Sequence, residues 1–402
     1  MEISTCVKYV GVNDHQVDLF EGQYKVPNGM SYNSYVILDE KIAVMDTVDG
    51  FFTEEWLNNV EQVLSGKTPD YLVIQHMEPD HSASIPAFLK KYPKTTVVST
   101  AKGFQFMEQF FPEFFAVQGL PAEQHIVAAN DGVLELGQHS LHFVYAPMVH
   151  WPEVMMTYEA TEKILFAADG FGKFGALDVE EEWANEARRY YIGIVGKYGP
   201  QVQLLLGKAA AVLDKIKIIC PLHGPVWHTE LGYIIDKYQH WSTYTPEDSD
   251  GVMVVYASMY GNTESAAQAL AAKLVERGVN NVRVYDVSNT HVSYLISETF
   301  RCSHIVLASV TYNLGIYPVI KNYLEDMKAL NLQNRTFAIV ENGSWACKSG
   351  DLMQKFLDEE MKNMTVLNER VSLSSALSSE KEAELDFMAD AIADSVKSAS
   401  ET

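Results

Sequence analysis

Seven side chains in this sequence could hold metal ions together. The densest run is His76-x-Glu78-x-Asp80-His81, directly after the apolar segment 71–75, which reads as a strand. His150 follows a predicted strand at 141–146, and Asp169 follows one at 164–168. His223 follows a third, at 216–220, within Pro221-Leu222-His223-Gly224-Pro225. All four segments thus place donors just past the carboxyl end of a strand, where their loops can meet at one edge. Four imidazoles and three carboxylates form a hard, anionic donor set that suits iron or manganese, and zinc accepts the same groups. Asp169 stands apart in sequence from both the 76–81 loop and His223, so its two oxygens can serve two ions. A bridged pair of ions can hold two electrons and bind a small diatomic molecule. His125, His139, His142, His228 and His240 lack such a context and are read as non-ligands.

A second constellation follows residues 252–257, in Ser258-Met259-Tyr260-Gly261-Asn262-Thr263, ahead of a helical pattern starting near residue 264. Hydroxyls at Ser258 and Thr263, with amides around Gly261, can ring a phosphate at a helix N-terminus. No lysine follows as in the P-loop, and G-x-G-x-x-G is absent. Two later loops contain Thr311-Tyr312-Asn313 and Asn342-Gly343-Ser344-Trp345. Both come at the carboxyl ends of predicted strands, where open α/β sheets bind ligands. Tyr312 and Trp345 each offer a ring that could stack on an isoalloxazine. The three loops together resemble the FMN site of flavodoxin-like domains, with Val310 where that resemblance leads one to expect proline.

These loops need elements to position them. A length of 402 residues argues for two domains. The polar run Tyr244-Thr245-Pro246-Glu247-Asp248-Ser249-Asp250-Gly251 is the expected seam, giving domains 1–248 and 249–402. After it, strands at 252–257, 282–287, 305–310, 337–341 and 366–373 alternate with helical patterns that include 264–277 and 380–397, predicting a doubly wound parallel sheet. Before it, strands at 35–38, 42–45, 71–75, 96–99, 141–146, 164–168 and 216–220 mix with helices at 54–64 and 180–195. That mixture predicts an α/β sandwich of two sheets flanked by helices. Fifty-three acids against thirty bases, a net charge of −23, disfavour nucleic acid and anionic membranes as partners. No stretch approaches the ~20 apolar residues of a membrane span. The first residues show no basic segment leading into an apolar core, so a cytoplasmic location is expected. Cys6, Cys220, Cys302 and Cys347 are scattered with no C-x-x-C, which excludes a rubredoxin-type site, a Cys-ligated cluster and a disulfide framework.

The order H-x-E-x-D-H, His150-Trp-Pro-Glu, Asp169-Gly-Phe-Gly and His223-Gly-Pro resembles the metallo-β-lactamase-like core of flavodiiron proteins. Hydrolases of that fold usually show H-x-H-x-D-H. An anionic Glu78 in place of a neutral histidine favours a higher-valent iron pair. The resemblance implies an N-terminal metallo-β-lactamase-like αββα sandwich followed by a flavodoxin-like doubly wound parallel sheet. It implies one iron on His76, Glu78 and His150, another on Asp80, His81 and His223, and Asp169 between them; some members turn the His81 counterpart away. It also suggests Tyr190 and Tyr191 as proton donors lying behind the metal ligands, of which Tyr191 is the choice here. The implied function is reduction of O2 to water, of NO to N2O, or both. Electrons would reach two non-heme irons through FMN from an external donor, a rubredoxin or a reductase. The implied assembly is a head-to-tail homodimer or a dimer of dimers. Two other readings stay open: a zinc hydrolase fused to an FMN carrier domain, against which Glu78 counts, and an electron carrier with a relict metal site, which the full set of seven donors disfavours.

Overall fold

The computed structural model describes residues 2–117 and 120–400. The chain divides into two compact units, Met1–Tyr191 with Pro200–Gln239, and Ile192–Gly199 with His240–Thr402.

The first unit is the expected two-sheet sandwich. One sheet runs in the order Val7–Tyr9, Tyr35–Ile37, Ala43–Met45, Tyr71–Val73, Thr96–Ser99, His125–Val127. The other runs Val133–Glu135, Ser140–Tyr145, Met155–Glu159, Ile164–Phe166, Ile218–Cys220. Ile37, Met45, Val73 and Val98 from one sheet and Leu141, Phe143, Met155 and Phe166 from the other form one buried cluster. Alternation along each strand turns Val144, Met156 and Leu165 to the opposite face of the second sheet. Met155–Glu159 escapes sequence reading because four of its five residues are buried, and a strand covered on both faces shows no clean alternation. The helix expected at 180–195 is shorter, Trp183–Tyr190, and continues into a π turn, Tyr191–Val195.

The second unit holds five parallel strands ordered Asn281–Asp286, Asp248–Ala257, Cys302–Tyr312, Thr336–Asn342, Thr365–Leu373, with the short Gly315–Ile316 added antiparallel to the end of Cys302–Tyr312. All five expected strands are present. Because the first strand lies between the second and the third, the chain winds outward in both directions and leaves a crevice at their carboxyl ends. Helix Asn262–Glu276 buries Ala266, Leu270 and Leu274, spaced by four, against Val252 and Val254.

The polar seam is not a loose linker. Asp248–Gly251 already belong to the first strand of this sheet. The Tyr244 carbonyl accepts from Arg335 Nη1 at 2.8 Å, and its hydroxyl donates to the Gly196 carbonyl at 2.7 Å. The buried Arg335 guanidinium also donates to the carbonyls of Thr299, Phe300, Gln333 and Asn334. Backbone carbonyls that would otherwise be unsatisfied hold this segment in place.

Candidate functional site

In the first unit, Ile164–Phe166 and Ile218–Cys220 are parallel, and Ser140–Tyr145 points the same way through two antiparallel steps. Their carboxyl ends share one edge, and this delivers His150, Asp169 and His223 to one place. The 76–81 loop arrives from the other sheet. Asp46 anchors it by accepting from the Gln75 backbone N–H at 2.7 Å and from the Gln75 side chain at 2.9 Å. Asp80 and His81 ride on the short helix Pro79–Ser82, where Thr47 donates to the His81 carbonyl at 2.8 Å.

All seven predicted donors converge, in two groups. His76, Glu78, His150 and Asp169 offer donor atoms within 4.8 Å of one another, and so do Asp80, His81 and His223. Asp169 reaches both. Its Oδ2 lies 3.1 Å from His150 Nε2, and its Oδ1 lies 3.2 Å from His81 Nε2. Glu78 Oε2 stands 3.2 Å from His76 Nε2 and 3.1 Å from His150 Nε2. Asp80 Oδ2 stands 3.2 Å from His223 Nε2. His81 is turned inward, with its Nε2 only 3.1 Å from that of His223.

The imidazoles are oriented from behind. His76 Nδ1 donates to Glu153 Oε1 at 2.8 Å, and His223 Nδ1 donates to the Ser31 carbonyl at 2.7 Å. With the hydrogen on Nδ1, a neutral ring aims the Nε2 lone pair at its neighbours' donor atoms, the arrangement of metal-ligating histidines. Both Asp80 oxygens and Asp169 Oδ1 are buried and receive no well-aligned hydrogen bond among the described residues. Anionic oxygens in such a site require positive charge beside them. The donor set therefore fits a pair of cations.

The titration of these groups reflects the same demand. Burial acts to raise Asp169, but His76 and His81 hold it well below the usual carboxylate range. Burial likewise opposes ionisation of Glu78, and the His150 and His76 imidazoles overcome it and lower its pKa. For His150, burial pulls downward, yet Asp169 and Glu78 push it up to about 9.

The Asp169 loop is tight. Ala168 and Phe171 both take positive φ. A Cβ on Gly172 would sit 3.1 Å from the Asp169 carbonyl oxygen and 3.3 Å from both His223 Cβ and Tyr190 Cε1, so a larger residue would press on the loop and its neighbours.

Neighbouring residues on a helix differ by ~100° in direction, and one of the two adjacent tyrosines lies directly against a donor histidine. It is Tyr190, whose ring centroid lies 5.5 Å from that of His223; the Tyr191 ring packs at 5.0 Å against Tyr238. Sequence reading passed over Glu153, although it ends the quoted His-Trp-Pro-Glu run. It also missed Ser31, which acts through its carbonyl and leaves no side-chain signal. A third omission was Glu21, whose carboxyl bonds to that of Glu78; burial and the Glu78 charge push its pKa up to about 8. Among the described residues, none of the five histidines set aside joins either donor group.

In the second unit the crevice is a cleft of about 320 Å³ lined by Ser258, Met259, Tyr260, Asn262, Thr263, Thr311, Asn313, Asn342, Gly343, Ser344 and Trp345. Gly261, at φ 87°, makes the turn before the helix and donates its N–H to Ser258 Oγ at 3.0 Å. Thr263 is buried and accepts from Asn342 Nδ2 at 3.3 Å. Tyr260 and Trp345 are each 91% exposed and present free ring surface. Tyr312 is not part of the cleft wall and instead meets Tyr317 edge-on at 5.8 Å. Thr311 lines the cleft, but its hydroxyl accepts from the Lys348 and Ser349 amides, which start the next helix. Val310 is a lining residue, and so is Ser375, which accompanies the fifth strand and was missed. Its N–H donates to Asn342 Oδ1 at 3.0 Å. Among the described residues no lysine or arginine lines the cleft, so hydroxyls and amides would have to hold any phosphate there.

Known proteins share this architecture. Residues 30–224 match the family described as ODP family beta lactamase, and residues 254–373 match the flavodoxin family. A nitric oxide reductase from Moorella thermoacetica is 29% identical over 368 residues, covering 90% of this chain and 89% of that one. The structure of rubredoxin oxygen:oxidoreductase from Desulfovibrio gigas superposes with a TM-score of 0.91 at 26% identity, covering 100% of both chains. The flavodiiron protein from Giardia intestinalis gives a TM-score of 0.89 at 25% identity, over 100% of this chain and 97% of that one. With the same two halves in the same order from end to end, the chain belongs to the flavodiiron protein family.

Proposed function

We propose that this protein is an oxidoreductase that reduces O2 to water, NO to N2O, or both. In this reading His76, Glu78 and His150 hold one iron, Asp80, His81 and His223 hold the other, and Asp169 joins them. The observation that carries it is Asp169, with one carboxylate oxygen turned to each donor group. When bound, the iron pair supplies a redox centre for a diatomic ligand, and FMN supplies it with electrons. The chain's own residues do the positioning. Glu153 and the Ser31 carbonyl fix two of the imidazoles, and burial of the cluster keeps bulk water from the reacting gas. Proton supply is assigned to the Tyr190–Tyr191 pair, with Tyr190 the member lying against the cluster. A zinc hydrolase fused to an FMN carrier domain is disfavoured by Glu78 and by the similarity to a nitric oxide reductase and a rubredoxin oxygen:oxidoreductase. Stopped-flow mixing of the reduced, iron- and FMN-loaded protein with each gas tests the reading. Fast flavin reoxidation by O2 or NO is expected, and inertness to both overturns it.

The metal half is assigned to residues 1–248 and the flavin half to 249–402. FMN is placed in the second unit's cleft, its phosphate at Ser258, Gly261, Asn262 and Thr263 and its ring system near Tyr260 and Trp345. Met259, Thr311, Tyr312, Asn313, Asn342, Gly343 and Ser344 complete the assigned surroundings. Thr263→Ala is expected to cost ~1.5–3 kcal/mol of FMN binding, the worth of one hydrogen bond to a charged group. Fluorescence titration of the apoprotein reads this directly, and an unchanged dissociation constant would remove the phosphate from this turn.

An external donor, a rubredoxin or a reductase, is assigned to feed the flavin, since the cysteine spacing provides no rubredoxin-type site. No helix among the described residues is long and apolar enough to cross a membrane, and a cytoplasmic location is proposed. Electron transfer needs FMN and iron close together. A head-to-tail homodimer, alone or paired as a dimer of dimers, meets that need by setting the FMN of one copy beside the irons of the other. Mixing a His76→Ala protein with a Ser258→Ala/Thr263→Ala protein checks the arrangement. Subunit exchange should restore partial gas reduction, whereas exchange without any recovery would mean that electrons stay within one chain.

A further inference from the structure

The first unit contains a mainly apolar cleft of about 380 Å³ outside the metal cluster, open to solvent where Asn130, Asp131 and Lys208 line it. Val144, Met156 and Leu165, the outward face of the second sheet, form one side, and Leu206 and Ala209 of the helix Gly199–Leu213 form the other. Phe171 closes one end. Phe171 lies two residues beyond Asp169 and is held by its N–H, which donates to the Tyr238 hydroxyl at 2.6 Å. The Met156 methyl rests against the residue between them: a Cβ on Gly170 would fall 3.0 Å from Met156 Cε. Cavity and donor cluster therefore share the turn 169–171 as a common wall.

The cleft's apolar inner wall offers contacts that favour small apolar guests over water. O2 and NO are such guests, since neither carries charge and both prefer an apolar medium to water. Most of the cluster is buried: His76, His81 and His223 are fully so and Asp169 is 1% exposed, while Glu78, Asp80 and His150 form the side nearest solvent. Met156 is unbranched and flexible, able to move aside where a branched side chain could not.

We propose that this cavity stores the diatomic substrate and passes it to the iron pair past Met156 and Phe171, an inference that rests on the gas-reductase function above. The cavity concentrates gas beside the cluster, and the wall keeps water out. Xenon, a spherical apolar probe, tests binding without turnover. Crystals of the full-length protein under xenon pressure should show an atom between Leu165 and Ala209. Filling the space from the helix with Ala209→Trp, or from the sheet with Leu165→Phe, should abolish that site. Each substitution should also raise KM for the gas about fivefold with kcat unchanged, because access is impaired and the chemistry is not. Two filling variants guard against one that folds poorly. A wild-type cavity that takes no xenon overturns the proposal, as does an unchanged KM in folded variants that have lost the xenon site. A protein that reduces neither gas overturns the function and the delivery role together. Gas reduction without xenon binding overturns the delivery role alone.

Discussion

Asp169→Ala is expected to strip both irons from the chain. Loss of a ligand to one ion would leave the other in place, but Asp169 turns Oδ2 toward His150 and Oδ1 toward His81, so its removal opens both donor groups. The remaining carboxylates, Glu78 and Asp80, then face four imidazoles with one fewer anion to balance a pair of cations. The loss in metal affinity should exceed the ~10–100-fold cost of losing an outer-shell partner. Metal analysis of the purified variant, with circular dichroism to show that the sandwich is intact, reads the result. A folded variant carrying two irons per chain would show that Asp169 does not join them.

The second large effect is expected at a residue assigned no contact with metal. Glu153 accepts from His76 Nδ1 at 2.8 Å and from the Met77 N–H at 2.9 Å, and its side chain is buried. Glu153→Ala would release the His76 ring and leave the Met77 amide without its acceptor. Iron affinity should fall by ~10–100-fold, the usual cost of losing the partner behind a ligating histidine. Glu153→Gln keeps an acceptor but not its charge, so the bond weakens and the loss should be intermediate. Competition against a chelator, followed through the metal's absorption, ranks the three proteins. Equal affinity in all three would mean that packing alone orients His76. Full recovery in the glutamine variant would mean that the acceptor matters and its charge does not.

Much of this protein could be read from its sequence because the relevant signals are local. His76, Glu78, Asp80 and His81 announce a metal loop through residue type and spacing alone. Placing each donor past a strand was enough to expect convergence, because carboxyl ends of like-directed strands share an edge. The five strands of the second unit were legible for a similar reason: each is a short apolar run bounded by turn residues and separated by helical periodicity. Ser258 to Thr263 likewise stood out as a turn able to cradle phosphate.

Other features were settled only by the fold. Sequence offered Tyr190 and Tyr191 together and chose Tyr191, whereas the end of helix Trp183–Tyr190 sets the Tyr190 ring against His223. Tyr312 and Trp345 looked alike in sequence, whereas the fold sets Tyr312 edge-on to Tyr317 and leaves Trp345 exposed. Ser31 orients His223 through a backbone carbonyl, a group every residue carries, so no residue type could mark it. The polar run 244–251 read as a linker by composition, but the carbonyl-seeking Arg335, some ninety positions away, binds one end of it, and the sheet takes up the other. The apolar cavity had no sequence signature because its walls come from strands and a helix far apart in the chain, each of which satisfies its own periodicity. Residue type and spacing determined which groups can act; the third dimension decided which way each points and what lies behind it, because direction depends on contacts made by residues distant in sequence.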